Sequence, residues 1–165
     1  MTGILGVDLG ERRIGIALAD DETGFAIPLT TLRRARDPAK DAAALQGLIE
    51  AYEIVELVVG LPLEAAGQEG SQAAITRTWT EAIGTLLAVR VTLRDERLTS
   101  HLAETRLGPM KRGRSGGPPS KTQRDAYRAR VDREAAAIIL QDELDTRAGR
   151  RASLTRTPDP QETSP

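Results

Sequence analysis

A charged residue closing an apolar strand narrows the folds open to a chain, because an isolated buried carboxylate is very costly. Here that residue is Asp8, in Ile4-Leu5-Gly6-Val7-Asp8-Leu9-Gly10-Glu11-Arg12-Arg13-Ile14-Gly15-Ile16-Ala17-Leu18-Ala19. Apolar residues lead into the acid, Gly6 and Gly10 flank it, and a second apolar run follows at once. That pattern reads as strand, tight turn, strand. Asp8 therefore needs a partner. One choice is the backbone N–H groups of the turn; the other is a metal ion or a phosphate-bearing substrate.

The rest of the chain supplies a frame around this hairpin. Strands are expected near 4–9, 13–19, 26–32, 56–60 and 91–94. Helical spacing covers 38–52, where Pro38 suits a first turn and Ala42, Leu45, Leu48, Ile49 and Tyr52 recur. A second helix is expected over 71–88, with Ser71 as N-cap and an apolar stripe of Ala74, Ile75, Thr78, Trp79, Ala82, Ile83 and Leu86. A third starts near Thr99-Ser100 and stops by Gly108-Pro109. Residues 108–122 are rich in glycine, proline and basic residues and read as a mobile loop. A last helix is expected over about 125–145, then a disordered tail over 146–165. The order βββαβαβαα calls for one α/β domain, residues 1–145, with a mixed sheet and helices on both faces.

Composition removes several kinds of chemistry. At 165 residues the chain fits one domain. It has no cysteine, so disulfides and cysteine–zinc sites are excluded. The single histidine, His101, reads as a surface or structural residue and cannot build a His-rich site. Any metal must be held by carboxylates and water, which favours Mg²⁺ or Mn²⁺. Phe25, Tyr52, Trp79 and Tyr127 are the only aromatics, too few for a single-strand stacking platform. No apolar run reaches membrane-span length and no leader pattern opens the chain, so a cytoplasmic protein without a membrane partner is expected. Net charge is −1, but residues 106–130 hold eight basic residues and one acid, leaving that segment at +7 and the remainder at −8. A basic block beside an acidic body points to a polyanion partner; a solvated loop is the plainer reading.

Three acids stand where chemistry could occur. Asp8 ends the first strand, Glu96 follows the strand 91–94, and Asp132 opens the apolar part of the last helix. From Asp132, residues 135, 136 and 139 share a helical side and are all apolar, so Asp132 faces the core edge. Each acid has a duller role: a turn cap for Asp8, a surface pair with Arg94 or Arg97 for Glu96, and an N-cap for Asp132. Together, three convergent carboxylates would repel unless cations neutralised them. Two Mg²⁺ or Mn²⁺ ions roughly 3.5–4 Å apart would do so and would clamp a phosphodiester. Arg12, Arg97, Arg128 and Arg130 are the expected phosphate-holding cations, by charge and placement.

On these residues the chain resembles the YqgF family, also called RuvX, a Holliday-junction-resolvase-like group with a ribonuclease-H-like fold. The carrying motifs are Gly6-Val7-Asp8-Leu9-Gly10 with Arg12-Arg13-Ile14-Gly15, Val58-Val59-Gly60-Leu61-Pro62-Leu63, Asp95-Glu96-Arg97-Leu98-Thr99-Ser100, and Val131-Asp132 with Ala135-Ala136-Ala137-Ile138-Ile139-Leu140-Gln141. The resemblance implies a five-stranded mixed sheet, and Asp8, Glu96 and Asp132 as metal-binding catalytic acids. It implies a two-metal nuclease acting in 5′-end processing of pre-16S rRNA in ribosome biogenesis, with Holliday-junction resolution as the alternative. A homodimer would suit a two-fold symmetric junction. Two residues depart from the family pattern: Glu11 where a small Thr is usual, and Glu64 where Asn commonly stands. Two other function classes compete. A nucleotidase or sugar kinase shares the Asp-x-Gly pattern but needs a second domain and phosphate loop. A non-catalytic RNA-binding factor would use the basic block but would not need the acids.

Overall fold

The computed structural model of the chain describes residues 2–20, 22–64, 66–96, 99–113 and 115–155. Five strands form one sheet: β1 (Gly3–Leu9), β2 (Arg13–Asp20), β3 (Ile27–Arg33), β4 (Ile54–Leu61) and β5 (Arg90–Asp95). Four helices complete the fold: α1 (Pro38–Ala51), α2 (Ser71–Leu87), α3 (Thr99–Leu107) and α4 (Lys121–Thr155). The strand order is β3-β2-β1-β4-β5. β1, β2 and β3 pair antiparallel, and β1, β4 and β5 pair parallel, so the sheet is mixed as expected.

Strand alternation sends neighbouring side chains to opposite faces of the sheet. Leu5 and Val7, Ile14 and Ile16, Leu57 and Val59 face α1 and α2, where they meet Leu45, Trp79 and Ile83 in one buried core. Ile4, Ala17, Ala19 and Val58 face α4 and meet Ala136, Ala137, Ile139 and Leu140. On this second face the strands carry small residues, and α4 lies almost on the backbone. A Cβ at Gly6 would come within 2.6 Å of the Ala136 carbonyl oxygen, and one at Gly15 would collide with the Asp132 carbonyl. Those two glycines set how closely α4 approaches β1 and β2.

The helices differ from expectation in four places. In α2 the buried residues are Ala73, Thr76, Trp79, Thr80 and Ile83, whereas Ile75 and Leu86 are exposed. The stripe is rotated because Trp79 turns its indole N–H to the buried Asp41 carboxylate, at 3.0 Å. Gly70, not Ser71, occupies the N-cap, without a side-chain cap. α4 begins at Lys121, because Ser120 and Gln123 form a capping box: the Gln123 N–H donates to Ser120 Oγ (3.2 Å) and the Ser120 N–H donates to Gln123 Oε1 (2.8 Å).

At its other end α4 continues to Thr155, so residues 146–155 are helical rather than a disordered tail; 156–165 lie outside the described residues. Arg147 explains the continuation. Its guanidinium donates to both oxygens of Glu56 (2.9 and 2.7 Å) and to Glu143 (2.9 Å), which ties the helix to the start of β4. Arg94 adds bonds to Asp142 (2.8 Å) and Glu143 (3.2 Å). Among the described residues no helix is long and apolar enough to cross a membrane.

Candidate active site

The parallel strands β1, β4 and β5 end at one edge of the sheet, and the acids collect there. Asp8 lies one residue from the end of β1, on the α4 face. Glu96 follows β5. Its backbone N–H donates to the Leu61 carbonyl (3.2 Å), and its own carbonyl accepts from the Thr99 N–H (3.1 Å) and hydroxyl (2.8 Å). These bonds tie Glu96 to β4 and to the first residue of α3. The Glu96 side chain then crosses Gly60, where a Cβ would collide with its carboxyl group. It reaches Asp8, and the two carboxyl groups are hydrogen-bonded to each other.

Two carboxyl groups can bond only if one carries a proton. Burial raises the pKa of both; the charge of Asp132 raises Asp8 further, and the charge of Asp8 raises Glu96. The hydrogen bond favours ionised Asp8 and protonated Glu96, so Glu96 holds the shared proton well above the ordinary carboxylate range. Asp8 does not cap its turn. The Gly10 N–H instead donates to the Arg13 carbonyl at 2.8 Å, and the Gly10 carbonyl accepts from Arg34 at 2.8 Å.

Asp132 sits well inside α4, which removes the N-cap role, and faces the sheet edge. Gly15, cross-strand partner of Asp8, lies directly beneath its carbonyl. The Asp132 charge is near enough to push the Asp8 pKa up further. Its carboxylate, however, is taken by Arg13, whose Nε donates to Oδ2 at 2.6 Å. Among the described residues no three acidic or imidazole side chains stand close enough to hold an ion as posed. The structure thus brings Asp8 and Glu96 together, with Asp132 adjacent but turned to Arg13. The donors are all carboxylate oxygens, the set that hard divalent ions take. A buried pair that must retain a proton is also one from which a cation can displace it.

The cations divide. Arg128 lies one helical turn before Asp132 and lines a pocket with it and Arg13. Arg130 is exposed on another side of α4, and Arg12 is exposed in the β1–β2 turn, neither one lining this pocket. Arg97 lies outside the described residues. Arg13 is the residue that sequence reasoning missed. Its signal was strand parity, since Arg13 shares the face of Gly15, Ala17 and Ala19.

A family model described as RuvX, Holliday junction resolvase, matches residues 2–146. The chain belongs to the RuvX family. A protein of Anaeromyxobacter dehalogenans named "Putative pre-16S rRNA nuclease" is 44% identical over 144 residues, spanning 87% of this chain and 97% of its own. One of Chloroflexus aggregans with the same name is 41% identical, spanning 87% and 94%. T. thermophilus RuvC, solved in complex with a Holliday junction substrate, superposes at a TM-score of 0.50 and 15% identity, over 90% of this chain and 97% of RuvC. That likeness gives this RuvX-family chain its ribonuclease-H-like architecture.

Proposed function

We propose that this RuvX-family protein is a divalent-metal-dependent nuclease that hydrolyses phosphodiester bonds of precursor 16S ribosomal RNA. The observation that carries the reading is the touching pair Asp8–Glu96, recessed at the carboxyl ends of parallel strands with Asp132 alongside. The substrate is supported by the names of relatives that match this chain over nearly their whole length.

In this reading Asp8, Glu96 and Asp132 would hold Mg²⁺ or Mn²⁺ through their carboxylate oxygens. When bound, such ions neutralise the acids, supply a water of lowered pKa and stabilise charge on the departing oxygen. The chain's own groups do the rest. Arg13 and Arg128 hold the phosphate beside the acids. Arg12, Arg97 and Arg130, with the basic segment 108–122, hold the flanking backbone by charge. Asp8 and Glu96 keep a proton between them until cations take its place.

The test is a cleavage panel on the full chain with Mn²⁺ or Mg²⁺, comparing precursor 16S RNA, unrelated RNA and a four-way DNA junction, with product ends mapped. The expected result is metal-dependent cutting of the precursor. Asp8→Asn should lower the rate by more than about 100-fold, a loss that even an outer-shell partner of a metal site can cause. Normal cleavage by Asp8→Asn overturns the assignment, and cutting confined to the junction moves the substrate to branched DNA.

A further inference from the structure

Arg13, bonded to Asp132 beside the acid pair, also lines an open pocket. That pocket, ≈ 390 Å³, is lined by Arg13, Arg128, Asp132, Glu104, Tyr127 and Met110 among others. Its size lies within the range of small-ligand sites. Two arginines and two acids share its lining, and the Tyr127 hydroxyl donates to the Gly108 carbonyl at 2.8 Å, which ties that wall to the end of α3. A mononucleotide has the matching chemistry: a phosphate for the arginines and a flat base for Tyr127 and Met110.

We propose that this pocket takes the nucleotide next to the scissile bond, and that its phosphate draws Arg13 off Asp132, freeing that carboxylate to complete the cation site with Asp8 and Glu96. Arg13 is thus a positioning residue that makes nucleotide binding and cation binding depend on each other. The inference rests on the metal-dependent reading above.

Three features support the exchange. Arg13 and Asp132 are each part-exposed, with side chains 27% and 20% accessible, so a phosphate can reach the pair from the pocket. The guanidinium fork suits a phosphate at least as well as a single carboxylate oxygen. Asp132, once freed, would stand beside two other carboxyl groups, which is unfavourable until a cation joins them. Neither event is favourable alone, and each makes the other easier. By linkage, the factor by which nucleotide tightens cation binding equals the factor by which cation tightens nucleotide binding.

Titration calorimetry with Mn²⁺ tests this without any turnover, using AMP and CMP as nucleotide probes. In the wild-type protein the nucleotides should tighten Mn²⁺ binding. Arg13→Gln should bind Mn²⁺ alone on the order of tenfold more tightly than wild type, since Asp132 is already released. That gain should vanish in the Asp132→Asn background. Arg128→Gln removes the same charge from the same pocket without touching Asp132 and should show a much smaller gain. An equal gain in Arg128→Gln, or one that persists over Asp132→Asn, assigns the effect to charge alone and overturns the inference. So does a wild-type titration in which neither nucleotide changes Mn²⁺ affinity, whatever the variants do. Mn²⁺ binding that Arg13→Gln leaves unchanged overturns this inference and leaves the nuclease reading standing. No Mn²⁺ binding by any form overturns both.

Discussion

Glu96 is held above its ordinary pKa of 4.5, first by burial and then by the charge of Asp8. Between the ordinary and the raised value, the folded chain keeps a proton that the unfolded chain has shed. The contribution of this group to the stability of the metal-free protein is therefore fully present near about pH 4 and is lost as pH rises toward about 9. Thermal midpoints measured in chelator across the range from about pH 4 to 9 should show that decline. Glu96→Gln should flatten it, because a neutral amide does not titrate, and Mn²⁺ should reverse it by replacing the proton. Much of this residue-scale picture was legible beforehand. Asp8 and Glu96 announced themselves as acids closing apolar strands, and the helical spacing around Asp132 placed it at the core edge. Arg13 was missed, because its one local signal is strand parity with Gly15, Ala17 and Ala19, and parity does not say which face carries the site. Only the β1–β2 register, which sets Asp8 opposite Gly15, decides that.

Among the elements, α4 illustrates what sequence reading loses. Its start at Lys121 hides in a stretch rich in glycine, proline and basic residues, where the Ser120–Gln123 capping box is the one local signal. Its end hides in an Arg-rich composition that resembles a tail, because the bonds that hold it run from Arg147 to Glu56, 91 residues away. The strands were easier, since period-two alternation survives without tertiary context. Two element-scale predictions follow from packing. Gly15→Ala would drive a methyl group into the Asp132 carbonyl and lift α4 from β2. It should cost about 1–3 kcal/mol, as overpacking does, or more if the helix cannot shift, and should lower cleavage more than the thermal loss explains. In α2, Thr80 Oγ1 is buried with no hydrogen-bond partner among the described residues. Thr80→Val keeps the shape and removes the orphan group, so it should raise stability by about 1 kcal/mol in a denaturant titration.

Across the whole molecule, Glu56 and Glu143 are almost fully buried, 5% and 6% exposed, and depend on Arg147. Burial would raise the Glu56 pKa, but hydrogen bonds from Arg147 and Thr92 outweigh it and hold the group below its ordinary value. Arg147→Met should therefore cost about 3 kcal/mol, near the lower end for breaking a buried pair, because Arg147 itself is part-exposed. Ending the chain after Thr146 should cost at least as much. If either form unfolds at the wild-type denaturant midpoint, the network contributes nothing net.

The two faces of the sheet also divide the kinds of change the chain can absorb. On one face Leu5, Val7, Ile14, Ile16, Leu57 and Val59 pack into one apolar cluster with α1 and α2. On the other, Arg13 and Arg94 bond carboxylates of α4, and Asp8 and Gly60 meet Glu96. Parity along a strand is therefore a label for consequence. In a saturation scan of β1, substitutions at the odd positions 5 and 7 should deplete the folded pool, whereas those at position 8 should leave folded, inert protein. A lineage could rewrite one face, residue by residue, without disturbing the inheritance of the other.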